Sequence, residues 1–555
     1  MKKIFTYLMV LSAAAVFSSC DDVLNIDPTD RYSYASVWGS RESVDQYVFG
    51  FYSLLKESAE ISNTNMAGFT DAYSDIIKNA SWDQYNHTYN YALLMDTYFN
   101  SSHAGCHECW SYCYEKIRRH NEFLRDAPGF VSKLGEDFIT TRTAEVRFMR
   151  AFAYYRLIRV YGGVVLRTAV DGPEQNDKAR ATEAESWAQV ISDLTFAAEN
   201  LPVSWEQSGR ITKAAAYGML SRVALFAHEW ELAVTSADNC KLYGAALDAS
   251  YESVFSNSYS PENLIVVNFL PGYLGQGLSH NADLHFRPAG DSKHHNNKTL
   301  LSTFAPTSEL VDSYEMADGT DFSWTKHGAD PYSGREPRFY ASILYNGAKW
   351  EGREIETFVG GVDGFMAFRD ESTATSTTTG YYLKKWITED ATDWETKASS
   401  HFFITLRYAE VLLNKAEALA ELGDDRLSEA LAALNEVRDR VGLPAKDASD
   451  KDEFMALLRK ERMVELAGEG FRFWDIRRWR IAGDDPSVEG DGVIHGAVAH
   501  GVKITKDADT GECTYEQVAV DAGRTRVFLD HYYAFSIPVA ERSNNKLFGQ
   551  NNPGW

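Results

Sequence analysis

Apolar residues recur with the period of an amphipathic helix over two long stretches of the chain. Over residues 141–161 they form one stripe, and Gly162 and Gly163 follow directly as a stop signal. Other segments with the same period are closed by glycine, proline or a short turn. The pattern predicts helices over residues 141–161, 182–201, 212–227, 231–242, 404–422, 427–441 and 452–467.

Two of the predicted helix pairs share the spacing of small residues that is typical of tetratricopeptide hairpins. In the pair over residues 212–242, Ser221, Ala233 and Cys240 occupy the positions where paired helices approach most closely. Ala416 and Ala430 occupy equivalent positions in the pair over residues 404–441. Because one or two such hairpins rarely fold alone, the sequence predicts a larger, mainly α fold. We expect a tetratricopeptide-like helical hairpin scaffold that is interrupted by a large insertion.

The insertion, residues 246–403, has a different pattern. Short runs rich in Tyr, Val and Phe alternate with Gly and Pro, and a Ser/Thr tract covers residues 372–379. The pattern predicts loops and short strands, where binding residues are most often found. We expect one domain over residues 31–555, with helical scaffold mainly in 31–245 and 404–480, the irregular insertion in 246–403 as a ligand-binding face, and a C-terminal irregular region in 481–555.

The first twenty residues have the pattern of an export signal. Two lysines precede an apolar run, residues 4–17, and small residues then lead to Cys20. The run is too short for a membrane span, which takes about 20 apolar residues. A cysteine at this place is typical of bacterial lipoproteins, which are cleaved before it and acylated on it; an ordinary signal with an incidental Cys20 is the alternative. We expect a signal peptide over residues 1–19 and a lipidated tether over residues 20–30.

The charge balance narrows the class of partner. The chain has 55 Lys and Arg against 79 Asp and Glu, a net charge of −24 over 555 residues. Such a surface repels a phosphate backbone, so we do not expect nucleic acid as a partner. Aromatic residues make up 13% of the chain, more than its core requires. This surplus is the main compositional clue.

A cysteine cluster is the first candidate for metal chemistry. Cys106, Cys109 and Cys113 lie close to His103 and His107, and thiolate with imidazole would suit zinc or an iron–sulfur cluster. The three cysteines also fall on one face of a predicted helix, where free cysteine packs as a small apolar side chain. Core packing is the favoured interpretation, and the state of the three cysteines stays open. Other acidic and histidine clusters lack ligand spacing, so we predict no metal and no other cofactor.

The carboxylates give little support for catalysis. A hydrolase acting on sugars needs two carboxylates that flank the scissile bond, one of them with a raised pKa. The best local candidates are Glu461, Glu465 and Glu469, which lie among five arginines between positions 459 and 478. Those arginines would lower a carboxylate pKa and favour structural ion pairs. We therefore predict no catalytic residue and no enzymatic activity.

The sequence gives more support for ligand binding than for catalysis. Residues 79–91 combine aromatic rings, amides and a carboxylate without an apolar period, which predicts a loop. Aromatic faces cover the C–H faces of sugar rings, while Asn, Asp and Gln hydrogen-bond the hydroxyls. Trp350 and Trp394 are further aromatics of this kind, and packing beneath a loop is the competing interpretation for most of these residues. The predicted ligand-binding residues are Asn79, Trp82, Asp83, Tyr85, Tyr89, Tyr273 and Trp324.

Several stretches carry a resemblance to a known family. They include Arg-Ala-Phe-Ala-Tyr-Tyr-Arg at residues 150–156 and Phe-Arg-Phe-Trp-Asp-Ile-Arg-Arg-Trp at residues 471–479. In their order along nearly the whole chain, these stretches resemble the SusD/RagB outer-membrane lipoproteins. The chain ends in Trp555 where that family usually has Tyr, which exchanges one aromatic ring for another. The remaining stretches are residues 157–163, 210–214, 230, 306–314, 335–340, 380–386, 407–414, 461–466 and 551–555.

The resemblance implies a helical scaffold that packs on a TonB-dependent (SusC-like) transporter and irregular segments that form an extracellular ligand face. It implies a non-catalytic protein that is lipid-anchored through Cys20 to the outer membrane of a Gram-negative bacterium and exposed at the cell surface. Such a protein captures a glycan, an oligosaccharide, and delivers it to the transporter. The sequence does not identify the glycan or its linkage, or whether another nutrient replaces it. Two alternatives stay open: a surface glycoside hydrolase and a tetratricopeptide scaffold that binds only protein.

Overall fold

Helices form most of the regular structure of this chain, which confirms the predicted mainly α fold. The bounds of each element below come from a computed structural model. The structure describes residues 34–61, 69–79, 107–271, 278–294, 300, 302–366, 376–392, 395, 399–483, 492–521 and 525–555.

The N-terminal part is a series of helices in which each long helix packs against the next. The predicted helices over residues 141–161, 182–201, 212–227 and 231–242 are all present, and the first begins five residues earlier than predicted. The elements are α1 (Tyr34–Val37), α2 (Arg41–Phe51), α3 (Ser53–Glu57), β1 (Ile77–Asn79), α4 (Trp110–Asp126), α5 (Val131–Leu134), α6 (Glu136–Tyr161), α7 (Glu183–Asn200), α8 (Lys213–Phe226) and α9 (Trp230–Leu242).

Local chemistry sets the ends of α6 and α7. The last residue of α6 is followed by Gly162, whose φ of 71° belongs to the left-handed region that favours glycine. A Cβ on Gly163 would lie 2.2 Å from the Ala181 carbonyl oxygen, so the chain leading into α7 passes too close for any side chain there. Helix α7 then begins with a capping box, in which Thr182 and Glu185 each accept the other's backbone N–H. The double-glycine end of α6 therefore packs directly against the start of α7.

The insertion contains the predicted short strands, and also short helices that its composition did not predict. In its described residues, the strands form antiparallel pairs: β3 with β1 of the N-terminal part, β2 with β8, β4 with β7 and β5 with β6. The elements are α10 (Tyr251–Ser256), β2 (Asn263–Val267), α11 (Ala282–Phe286), α12 (Asp291–His294), β3 (Phe304–Pro306), α13 (Ser308–Ser313), α14 (Trp324–His327), α15 (Pro337–Ser342), β4 (Ile343–Leu344), β5 (Lys349–Trp350), β6 (Arg353–Glu354), β7 (Tyr382–Leu383) and β8 (Phe403–Arg407).

The C-terminal part returns to helices and continues the N-terminal stack, because α16 packs against both α9 and α17. The small residues predicted at the closest helix contacts, among them Ser221, Ala233 and Ala416, are fully buried there. One hydrophobic core runs through both helical parts and the insertion. The elements are α16 (Tyr408–Leu422), α17 (Leu427–Asp439), α18 (Lys451–Glu465), α19 (Arg472–Arg478), β9 (His500–Lys506), β10 (Cys513–Ala519) and α20 (Val539–Asn544).

The helix predicted over residues 404–422 is wrong in its first turn. Residues 403–407 form β8, which pairs with β2 of the insertion, and the helix begins at Tyr408. Ile404 and Leu406 are 2% and 0% exposed in this pair. Strand pairing with a distant segment therefore overrides the local helical period.

The cysteine helix also begins later than predicted. Helix α4 starts at Trp110, so Cys109 precedes it and only Cys113 lies within it; Cys106 lies outside the described residues. Cys109 is 5% exposed and Cys113 is fully buried, which confirms core packing for these two.

Buried ion pairs hold the insertion and the scaffold together at the end of α18. The Arg407 guanidinium of β8 donates to Glu262, Glu465 and Glu469, in each case over 2.7 Å. Arg338 of α15 donates to Glu465 over 2.9 Å and to Glu336 over 2.7 Å. All of these side chains are nearly or completely buried. The Arg407 cluster, as we call Arg407 with Glu262, Glu465 and Glu469, thus joins three segments far apart in the sequence.

Replacing Arg407 with methionine should destabilise the fold strongly. The variant leaves three buried carboxylates without their shared cation, so we expect the free energy of unfolding to fall by about 3–5 kcal/mol. Urea denaturation followed by circular dichroism measures the change. The matched control is Lys241→Met, because Lys241 pairs with Glu436 at side-chain exposures of 58% and 40%; there we expect less than about 1 kcal/mol. Similar small losses in both variants would contradict a structural role for the cluster.

Candidate functional site

The segment before the predicted ligand-binding loop is held in a strand. Asn79 is the last residue of β1 and pairs with Phe304 of β3. The prediction that Asn79 belongs to the loop is therefore wrong: backbone pairing continues through it, and only 4% of the residue is exposed. Helix α13 follows β3 directly, so β1 lies beside a continuous strand–helix segment, residues 304–313, which we call the β3–α13 support.

A buried charge cluster fixes β1 to the C-terminal region. Lys78 donates to Asp521 over 3.0 Å, and Arg526 donates to Asp521 over 2.9 Å and to the Ser74 carbonyl over 2.8 Å. Burial opposes ionisation of Asp521, but Arg526 and Lys78 outweigh it and lower its pKa to about 2. The carboxylate therefore stays charged and holds both cations beside the strand that leads into the predicted loop. We call Asp521 with Lys78 and Arg526 the Asp521 cluster.

An aromatic group lies at the other end of the β3–α13 support. Phe322 and Trp324 meet edge to face with ring centroids 5.4 Å apart, and Phe322 stacks on His327 at 5.5 Å. We call these three residues the aromatic corner. The Arg335 guanidinium lies 4.2 Å from the centroid of the Phe322 ring and stabilises the group by a cation–π contact.

The indole of Trp324 is held in place by α13. Its Nε1 donates to Asp312 over 2.8 Å, and Gln517 of β10 donates to the same carboxylate over 3.2 Å. Burial raises the pKa of Asp312 to about 6, and the bond from Trp324 partly opposes this shift. Trp324 is half-buried, so part of its ring remains exposed while its polar edge is fixed. A fixed, partly exposed indole can present a flat apolar surface to a ligand.

The β9–β10 hairpin braces this arrangement. Glu309 of α13 accepts from the His500 backbone N–H over 3.1 Å and lies 2.7 Å from His500 Nδ1. One short helix thus uses Glu309 to bind the hairpin and Asp312 to bind Trp324. The structure brings Asn79 and Trp324 to the two ends of one support.

A cavity of 460 Å³ lies beside the same hairpin. The loop that forms one wall is attached to β9 by a bond from Val359 N–H to the Ile504 carbonyl over 2.9 Å. Sequence reasoning missed this cavity, because its walls come from separate segments around Ala289, Gly360 and Ser376, which only the fold brings together. Its lining residues include Ala289, Ser292, Gly360, Gly361, Phe365 and Ser376.

The other aromatics named from the sequence have different placements. Trp350 is 1% exposed and its Nε1 donates to Asp291 over 3.0 Å, which confirms packing beneath a loop for this residue. Several predicted positions lie outside the described residues, so the structure does not test them. These are Cys20, Trp82, Asp83, Tyr85, Tyr89, Tyr273 and Trp394.

The candidate catalytic carboxylates form structural ion pairs, as predicted, but with other partners than expected. Arg462, a neighbour in the sequence, pairs with Asp475, whereas Glu465 pairs with Arg338, Arg407 and Arg440. Burial opposes ionisation of Glu465, but these arginines outweigh it and hold its pKa well below the usual range. A carboxylate in this state is a poor proton donor, so it does not suit general acid catalysis.

Among the residues that the structure describes, no group of three or more His, Cys, Asp and Glu side chains is arranged to hold a metal ion. None of the helices in this part of the chain combines the length and the apolar character that crossing a membrane requires.

Known families and structures match most of the chain. The family described as the SusD family matches residues 262–555, and the one described as starch-binding associating with outer membrane matches residues 26–225. SusD-like protein P38 of Formosa agariphila is 24% identical over 514 residues, 86% of this chain and 91% of that protein.

Solved structures agree with this match. A SusD-like protein of Bacteroides fragilis superposes with a TM-score of 0.78 at 28% identity, over 94% of this chain and 99% of that one. A SusD-like carbohydrate binding protein of the same species gives a TM-score of 0.73 at 22% identity, over 93% and 100%. The second likeness, at this identity, establishes the fold alone.

The Asp521 cluster should make part of the stability depend on acid pH. Because the pKa of Asp521 is depressed to about 2 from 3.8, its contribution is complete above about pH 4 and is lost as the pH falls to about 2. Asp521→Asn should therefore be less stable than the wild type at pH 6, and the difference should shrink over that window. Denaturant unfolding of both proteins at each pH measures it. A difference that is constant with pH would contradict the assignment.

Proposed function

The chain belongs to the SusD family, and from this membership we propose that it binds a glycan at the cell surface without cleaving it. The observation that carries the proposal is Trp324, whose ring is partly exposed while its Nε1 is fixed on Asp312 at 2.8 Å. Stacking on sugar C–H faces needs such a ring, held so that little conformational entropy is lost on binding. A structural relative named as carbohydrate binding supports the same ligand class.

We place the glycan between the aromatic corner and the segment that follows Asn79. The β3–α13 support connects these two places, and the Asp521 cluster fixes β1 where the chain enters that segment. Trp82, Asp83, Tyr85, Tyr89 and Tyr273 are the further contacts in this proposal. Asn79, at 4% exposure, contributes mainly through the position of the strand.

The proposed role in the cell follows from family membership and from the N-terminal pattern. We propose that Cys20 carries the lipid anchor, that the protein is displayed on the outer membrane, and that the bound oligosaccharide passes to a TonB-dependent, SusC-like transporter. Residues 31–555 form one domain in this proposal. A family described as starch-binding associating with outer membrane matches residues 26–225, which supports the location.

Removing the aromatic faces should weaken glycan binding. We expect Trp324→Ala and Trp82→Ala each to lower the affinity by about tenfold or more, because a stacked ring contributes about 1–2 kcal/mol. The measurement is isothermal titration against a panel of α-glucans, β-glucans, mannans and uronic acid polymers, beginning with the wild type. The control is Trp230→Ala, which removes another half-buried indole at the start of α9, in the scaffold.

The same samples distinguish the alternatives. Equal affinities in all three variants would place the glycan elsewhere, and no binding to any polymer would favour a scaffold that binds only protein. Release of reducing sugar by the purified protein, abolished in Glu465→Gln, would favour a glycoside hydrolase. We expect no release, since the Glu465 carboxylate is enclosed by Arg338, Arg407 and Arg440.

The lipid anchor should be separable from ligand binding. Cys20→Ser should release the protein from the membrane fraction and abolish its co-purification with a transporter, because a soluble form loses its local concentration at the membrane. Its glycan affinity should equal that of the wild type. Membrane fractionation, affinity capture from detergent extract and titration measure the three properties. Retention of the variant in the outer membrane would contradict the role of Cys20.

A further inference from the structure

A small polar cavity lies within the helical scaffold, apart from the proposed glycan site. It measures about 50 Å³ and lies where α6, α8, β8, α16 and α19 meet. Its charged walls include Arg156 and Arg159 of α6, Arg222 of α8, and Arg462, while Trp474 of α19 supplies an indole.

Two of the four arginines have carboxylate partners. Arg222 forms a buried pair with Glu410, and Arg462 forms one with Asp475 over 2.8 Å. Arg156 and Arg159 make no ion pair within the described residues. Among the residues that the structure describes, these two positive charges in the wall of the cavity therefore have no carboxylate within ion-pair distance.

The remaining acidic residues of the wall do not supply that charge. Glu469 is already bonded to Arg407 over 2.7 Å and to Lys385 over 2.8 Å. Burial raises the pKa of Glu60 to about 8, against the opposing effects of the Thr70 backbone N–H and the nearby Arg159 charge, so ionisation of this carboxyl is disfavoured. Glu60 forms no ion pair within the described residues. The balance around the cavity is positive at neutral pH.

Unpartnered donors lie in the same wall. Arg156 Nη1, Arg159 Nε and Trp474 Nε1 are buried and have no acceptor among the described residues. Trp474 is only 4% exposed, and the Arg159 guanidinium lies 3.9 Å from the centroid of one of its rings. A buried N–H without an acceptor costs about 1–3 kcal/mol, and all three of these groups can only donate.

We propose that this cavity binds one compact oxyanion of the sulfate or phosphate type. An oxyanion would accept from Arg156, Arg159 and Trp474 together and would compensate the two unpaired charges. Charge-assisted bonds from guanidinium groups to such oxygens are among the stronger hydrogen bonds in proteins. The volume selects a free ion over a sulfated sugar, because 50 Å³ has room for a few water molecules or one small ion but not for a saccharide ring.

Sulfate titration with matched tryptophan variants tests the proposal. Trp474→Phe removes the indole N–H but keeps an aromatic ring beside Arg159, and we expect it to weaken sulfate binding by about tenfold, the effect of one lost hydrogen bond to a charged group. Trp479→Phe is the control, because the Trp479 indole donates to Glu417 over 2.8 Å instead of lining the cavity. Calorimetry with sodium sulfate at constant ionic strength, using the full-length protein, measures both affinities.

A second pair of variants removes one charge. We expect Arg156→Gln to weaken sulfate binding by about tenfold or more, while Arg119→Gln, at 60% side-chain exposure on α4, leaves it unchanged. Inorganic phosphate should compete with sulfate, and a sulfated monosaccharide should not. Absence of sulfate binding by the wild type, or equal affinity in Trp474→Phe and Trp479→Phe, would overturn the proposal. Competition by the sulfated sugar would instead assign the site to an ester group of a glycan.

Discussion

A buried guanidinium group needs carboxylate or carbonyl acceptors, and this requirement largely determines how the parts of the chain fit together. Arg407 enters the interior from β8 and finds its carboxylates on α18, on the turn after it and before β2. Ion pairs of this kind add little net stability over apolar packing, yet misplacing one partner costs several kcal/mol. The Arg407 cluster therefore selects one position of the insertion on the scaffold and disfavours the others.

The insertion depends on the same kind of interaction, because the strands in its described residues form two-stranded pairs. A two-stranded pair is marginally stable by itself. Arg287 binds Asp283 and Asp291, and Arg353 binds Asp291 and Asp363, all with nearly buried carboxylates. These ion pairs fix the positions of the irregular segments, as backbone hydrogen bonds fix the strands of a large sheet. They give loops the fixed geometry on which ligand recognition relies.

The sequence predicted the structure correctly where the residues that determine an element lie close together in the chain. Thr182 and Glu185, three residues apart, cap the start of α7, and Gly162 ends α6. The positions of these helices could therefore be predicted. Strand β8 could not, because its partner β2 lies far earlier in the chain. The same limit applies to Glu465, whose partners Arg338 and Arg407 are distant. Trp324 and Trp350 gave identical signals as loop aromatics. Only tertiary packing distinguishes them, since it buries Trp350 and leaves Trp324 partly exposed.

The pairing of β2 with β8 has a consequence for how such a protein can diversify. Val267 pairs with Phe403, so the part of the insertion between these two residues begins and ends at neighbouring backbone positions, about 5 Å apart in a typical antiparallel pair. A segment with adjacent ends can gain, lose or exchange residues without displacing the helices, because closing a longer loop costs little extra entropy. Natural selection, or a protein engineer, can therefore replace the segment that carries Tyr273 and Trp324 while the helices on either side of the strand pair stay in place.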